Sequence, residues 1–285
     1  MKSHKNLFKG LSIIPIVIYT VILILLPLVY IFALSFFQND SYGGIIYSFT
    51  LNNYLEIIDF TYLKIFFKSA LIGLITTFLC ICISYPFALI LRTKSVKAQN
   101  LATKLVMVPF LTNSLIRTYG WIILLRKNGI INEVLQSLGL INMPLNLMYN
   151  KLGIIIGMTY TLLPFMILPI CSSVFKIDNS HVEAAKDLGA SKIQIFFKII
   201  FPQTLSGIFN GSLMVFIPAI GYFFIADILG GGKEMIVGNI IKNQFLTARN
   251  WPLGSAISIF LIIMTFVLVK IYQKHGGKLD DLGGM

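Results

Sequence analysis

Six stretches of this chain carry no charge over lengths that suit a membrane. They are Gly10–Asn39, Ser69–Leu91, Leu105–Ile116 (continuing past Arg117 to Leu125), Leu152–Phe175, Ile199–Ala226 and Asn250–Val269. The hydrocarbon core of a bilayer is ~30 Å thick and a helix rises ~1.5 Å per residue, so ~20 apolar residues make one crossing. A soluble fold cannot hide this many long apolar runs, because a large share of its residues must face water. Composition agrees: 56% of the 285 residues are hydrophobic and 12% charged, with a mean hydropathy of +0.84. The expected architecture is an all-α integral membrane protein, a single transmembrane domain over residues 1–285 with six spanning helices. Each stretch is an upper bound on its helix. Phe36, Phe37, Tyr62, Trp121 and Trp251 fall near span ends, where amphipathic rings prefer the interface.

The net charge of +12 would suit a nucleic-acid binder if the bases lined one face. Here they punctuate the apolar runs. Of the Lys and Arg residues, 14 fall on the side of the N-terminus, the Arg92–Lys104 loop, the Lys176–Lys198 loop and the C-terminus, against 8 on the other side. The bases Arg92, Lys94, Lys97 and Lys104 have no acid among them. Cytoplasmic loops carry the excess of Lys and Arg, so both termini and the Lys176–Lys198 loop are expected in the cytoplasm of a multi-pass cell-membrane protein. The charge is then a topology signal and calls for membrane lipid, not nucleic acid. Cys80, Cys82 and Cys171 lie inside apolar runs, without metal-site spacing, and read as packing residues. The first apolar run is too long for the h-region of a cleaved signal peptide.

The fifth stretch is irregular. It carries Pro218 and Gly221 shortly before Asp227 and Gly230–Gly232, and Glu234–Phe245 is apolar but too short to cross. Irregular backbone at membrane depth is tolerated where it is buried in protein or lines a wet cavity. This region is the candidate translocation path.

The loop from Ile177 to Pro202 holds two helix-start signals. Ser180-x-x-Glu183 and Ser191-x-x-Gln194 have the spacing of capping boxes. Gly189 lies between them, where a helix end wants a residue tolerant of positive φ. The expectation is two short helices joined by a tight turn, with Ile193, Phe196, Phe197 and Ile200 on the apolar face of the second and Pro202 at its junction with the fifth span. By spacing alone, the loop fits either a rigid knob that carries force to the spans or an amphipathic hairpin lying on the lipid.

Glu183-Ala184-Ala185-x-x-x-Gly189, followed by Ile199-x-x-Pro202, resembles the EAA loop of ABC-importer permeases. The resemblance implies the type I permease fold, with this loop forming coupling helices that dock on a nucleotide-binding subunit. It points to Glu183, Ala184, Ala185 and Gly189, with Asp187 beside them, as the residues facing that partner. A wider likeness runs from about Leu51 to Trp251. Its segments Pro109–Gly120, Leu163–Met166, Asp227–Glu234 and Gly238–Phe245 resemble the PotB-type permease subunits of spermidine/putrescine importers. That implies a complex with a sister permease, two copies of an ABC ATPase and an extracytoplasmic polyamine-binding protein.

A path for polyamines needs negative charge or π-faces that hold ammonium groups weakly. Asp227 is the acid where the fifth span breaks, and Tyr222, Phe223 and Phe224 precede it. An ammonium over such a ring gains ~0.5–2 kcal/mol. The resemblance points to Phe223, Phe224, Asp227 and Lys242 near the passage. Asp227 equally suits a cap for the span at the water interface. Arg117, the one formal charge inside a span, is expected to pair with backbone carbonyls or Asp227. Glu56 and Asp59 read as solvated acids. Gly230-Gly-Gly-Lys233 is followed by Glu and lacks P-loop spacing, so ATP is expected in the partner subunit and no cofactor here. No nucleophile with its base and no metal-ligand set is evident. Transport of another small solute and an ion-gradient transporter are the alternatives to a polyamine importer.

Overall fold

The computed structural model describes residues 15–40 and 42–274. Twelve helices and one short hairpin are found among them. They are α1 (Pro15–Leu34), β1 (Gln38–Asn39) and β2 (Ile45–Ile46), α2 (Asn52–Ile57), α3 (Phe60–Arg92), α4 (Val96–Met107), α5 (Ser114–Leu125), α6 (Ile130–Ser137), α7 (Lys151–Phe175) and α8 (Asn179–Asp187). Then come α9 (Lys192–Gly221), α10 (Phe223–Gly230), α11 (Val237–Leu246) and α12 (Trp251–Lys274). Five are long and apolar enough to cross a membrane: α1, α3, α7, α9 and Trp251–Ile271 of α12.

The third expected span is not one helix. After α4 the chain makes a 3₁₀ turn at Val108–Leu111, and Thr112 is extended (φ −98°, ψ 150°). Pro109 has no amide to continue an α-ladder, and the Asn113 side chain accepts from Leu115 N at 2.8 Å to start α5. The 12 residues of α5 span only ~18 Å. The fifth expected span also differs. It begins within the loop at Lys192 and ends at Gly221 instead of Ala226, and Tyr222 (φ −74°, ψ 65°) separates it from α10.

The chain divides into two compact units. In the first, residues 15–63 with 240–264, α1 exposes almost its whole apolar length, and only its last residue, Leu34, is buried. There Asn53, buried, donates to the carbonyl oxygens of Ser35 (2.9 Å) and Phe37 (2.8 Å), fixing α2 under the end of α1. Asp59 caps α3 through Thr61 N at 2.8 Å, and this backbone bond holds its carboxyl below the ordinary aspartate value. Glu56 and Asp59 are exposed, as solvated acids should be.

The second unit, residues 64–239 with 265–274, is built on α7. Its residues Ile154, Met158, Leu162, Met166, Ile170 and Val174 are all fully buried. They recur every fourth position, so they form one ridge of the helix. Opposite lies the ridge Gly207, Gly211, Val215 and Ala219 of α9, also buried. A Cβ on Gly207 would strike Ser173 and the Pro169 carbonyl, and one on Gly211 would sit 2.6 Å from Met166 Sδ. Small residues let the two backbones approach, and in lipid that close packing drives association. Cys80 and Cys171 are buried in this unit, whereas Cys82 points outward from α3; the packing role expected for it does not hold within this chain.

Candidate functional site

Two places carry the predicted residues, and the first is the loop between α7 and α9. Here α8 begins at Asn179, capped by Asp178, whose carboxylate accepts from Ser180 N at 2.9 Å. The expected Ser180–Glu183 box is therefore not formed. Asp178, two residues earlier, takes the cap and draws Ser180 inside the helix. Hydrogen bonds from the Ser180 amide and hydroxyl, with a smaller pull from His181, hold the Asp178 carboxyl below its ordinary value. The second box forms as expected: Ser191 Oγ accepts from Gln194 N (3.3 Å) while Gln194 Oε1 accepts from Ser191 N (2.8 Å).

Gly189 turns the chain between the two helices at φ +78°, a conformation that glycine adopts without strain. Its amide bonds the Lys186 carbonyl at 2.9 Å and Ala190 N bonds the Ala185 carbonyl at 2.9 Å, closing α8. An open groove of about 470 Å³ runs between the helices, bordered by Ala185, Leu188, Gln194 and Ile195. Glu183, Ala184, Asp187 and Gly189 are exposed and Ala185 is half-buried. Leu188, which spacing did not single out, is 88% exposed.

The buried face of the second helix is not the expected one. Ile195 is buried, while Ile193 and Phe197 are exposed and Phe196 and Ile200 half-buried. Ile193 and Ile195 lie in the α-helical turn Lys192–Ile195, and from Phe196 on a π-turn at Phe196–Ile200, with its wider i→i+5 ladder, shifts the side chains that follow. Pro202 stands in the first turn of the α-helical stretch Phe201–Gly221, directly after the π-turn and within the unbroken helix α9.

Helix α3 grips this loop at both ends. Arg92 donates from Nη2 to Asn179 Oδ1 at 2.7 Å and to the Ile177 carbonyl at 3.3 Å. Tyr85 Oη lies 2.6 Å from Thr204 Oγ1, and its ring packs edge-on against Phe196 at 5.6 Å.

The second place is the break after α9. The Tyr222 and Phe224 rings lie 5.3 Å apart and those of Phe223 and Phe224 6.2 Å apart. Phe223 is 40% exposed, and Tyr222, Phe224 and Asp227 are half-buried. Asp227 Oδ1 accepts from Asn239 Nδ2 at 2.6 Å. That buried amide also donates to the Phe223 carbonyl at 3.1 Å, and its Oδ1 accepts from Ile236 N at 3.0 Å. Asn239, which no local spacing singles out, thus organises the break. Ser69 on α3 accepts from Val237 N at 3.0 Å, and Lys68 pairs with Glu234. Gly238 packs so closely on Gly221 that an added Cβ would fall on the Gly221 carbonyl. Lys242 lies half-buried on α11, within the first unit.

Arg117 takes ring partners in place of the backbone carbonyls or Asp227 expected for it. Its guanidinium lies 5.2 Å from the Phe110 ring centre and 5.9 Å from that of Tyr160. Among the described residues, no group of three or more His, Cys, Asp or Glu is placed to hold a metal ion.

An apolar helical bundle with a capped two-helix knob fits a known family. The pattern of the binding-protein-dependent transport system inner membrane component family matches residues 2–275. The chain belongs to that family. Among relatives of this transport component, the spermidine/putrescine transport system permease protein PotB of Escherichia coli K12 is 43% identical over 262 residues, 92% of this chain and 95% of the relative. The PotB of Haemophilus influenzae is 39% identical over 274 residues, 96% of each chain. Among solved structures, a chain of the bacterial alginate ABC transporter, in complex with alginate pentasaccharide-bound periplasmic protein, superposes with a TM-score of 0.75 at 13% identity. It covers 94% of this chain and 93% of that one. A chain of the MetNI methionine ABC transporter gives 0.54 at 17% identity, over 74% of this chain and 93% of that one. These two likenesses show that the fold is that of ABC transporter membrane chains.

Proposed function

We propose that this chain is the permease subunit of an ATP-driven ABC importer for polyamines, forming the translocation path with a sister permease. The observation that carries this reading is the pair of capped helices around Gly189, presenting Glu183, Ala184, Asp187 and Leu188 outward. Two copies of an ABC ATPase act on that knob, and ATP stays in those subunits. An extracytoplasmic binding protein delivers the cargo. The chain crosses the membrane six times, the third crossing built from the broken α4–α5 segment, and both termini lie in the cytoplasm, where the Lys and Arg excess places the knob beside ATP.

Spermidine or putrescine is the cargo. Near-full-length identity of 39–43% to the PotB proteins supports this, as does the chemistry at the break. Tyr222, Phe223 and Phe224 offer π-faces and Asp227 a carboxylate. Ammonium–ring attraction of ~0.5–2 kcal/mol guides a polyamine without trapping it.

Uptake of radiolabelled spermidine by vesicles holding the full complex tests the cargo. Unlabelled putrescine and spermidine should compete, and uncharged or anionic solutes should not. Uptake displaced equally well by an unrelated solute would make this a permease for a different cargo.

A further inference from the structure

Arg117 lines an open pocket of about 360 Å³ with Gly120, Trp121, Ile123, Leu124 and Tyr160. Phe110 and Tyr160 flank its guanidinium. The rings meet its charge in part. Its Nε is buried with no acceptor among the described residues, and no hydrogen bond from the rest of the guanidinium to those residues is found. A guanidinium inside a span without an acceptor is costly, and such groups find one.

The outer face of α5 around it is bare. Ile116 is 70% exposed, Tyr119 58% and Ile123 54%. Gly120, between them, has nothing within 4 Å of where a Cβ would stand. These residues follow the i, i+3, i+4, i+7 pattern of one helix face, and a glycine at its centre lets another backbone come close.

We propose that this face seats a second, different membrane-spanning chain, which presents an aspartate or glutamate carboxylate to Arg117. The inference rests on the reading of this chain as one of two permeases. Charge complementarity selects the occupant. A carboxylate accepts two guanidinium N–H groups side by side, and the flanking rings shield the pair. A second copy of this chain meeting through the same face would bring Arg117 against Arg117, because a two-fold interface repeats the same residues on both sides. Lipid phosphate is disfavoured by depth. Arg117 stands nine residues before Arg126 and thirteen after Lys104, so it lies roughly 13 Å along the helix from the nearer of these charged ends.

The test uses the whole complex in its native membrane. Gly120→Cys, in a Cys82→Ser background, is labelled with a benzophenone maleimide and irradiated. The expected product is an adduct with the second membrane subunit; adducts with lipid alone overturn the proposal. Arg117→Gln should release that subunit from the detergent-extracted complex at least tenfold more readily, with Arg117→Lys in between. Retention equal to wild type in Arg117→Gln also overturns it. The ATPase should stay bound to the knob in either variant. If no second membrane subunit co-purifies with the wild-type chain, the two-permease reading itself fails; if it does and only lipid is labelled, this inference fails alone.

Discussion

Asn239 donates its side-chain amide to Asp227 Oδ1 at 2.6 Å while holding the Phe223 carbonyl at 3.1 Å. One buried side chain therefore sets both the acid and the backbone of the aromatic segment beside it. A hydrogen bond to a charged group contributes ~1.5–3 kcal/mol, and losing one partner orphans the other. Asn239→Ala should lower polyamine uptake by roughly tenfold or more on that scale, with the complex still assembled. Asp227→Asn should do the same. Vesicle uptake and co-purification, measured together, check both. Normal uptake in Asp227→Asn would remove that residue from the path.

Gly189 sits at φ +78° with open space where a Cβ would go. The obstacle to substitution is backbone strain, not crowding. A β-branched residue there should cost ~1–2 kcal/mol, whereas Asn tolerates the left-handed region. Gly189→Val should weaken ATPase binding markedly and Gly189→Asn only slightly, as read from ATPase retained on the purified permease.

The ridge Gly207–Gly211 makes the opposite prediction. There φ is ordinary and space is absent, since a Cβ at Gly211 would stand 2.6 Å from Met166 Sδ. Overpacking costs ~1–3 kcal/mol. Gly211→Leu should lower the thermal midpoint of the detergent-solubilised complex and cut its yield.

Much of the knob was legible because its signals are local. Ser191 and Gln194 need only each other, and Gly189 needs only its own φ. The first box failed because Asp178 starts the helix two residues earlier: it accepts from the Ser180 amide itself, so Ser180 lies within the first turn and does not cap it. The apolar runs announced the helices, but Leu105–Leu125 broke at Pro109 and Asn113, both visible in the sequence and outweighed by hydropathy. The π-turn at Phe196–Ile200, which shifts the side chains after it, is not announced by side-chain spacing. Asn239 and Ser69 were missed for a different reason. Their partners lie 12 and 168 residues away, so only the fold brings them together. A lone Asn within the apolar run Met235–Ile241 was the available hint, because a buried amide demands partners.

Asp178 gives the knob a pH signature. Its folded-state carboxyl titrates below the ordinary value of 3.8. Its cap is therefore fully present above that value and lost as pH falls through the lower, folded one. Hydrogen-exchange protection of the α8 amides, corrected for intrinsic rate, should be flat from about pH 8 to about pH 5 and fall only in stronger acid. Asp178→Asn should keep a cap and lose that acid-dependent step.

Everything proposed for transport depends on force entering through the exposed face of α8. ATP-dependent uptake of radiolabelled spermidine, in vesicles carrying the complete complex with Glu183→Lys in this chain, tests it most directly. Uptake should fall at least tenfold with the ATPase bound weakly or not at all, while the purified ATPase alone still hydrolyses ATP. Wild-type uptake with a normally bound ATPase would contradict it.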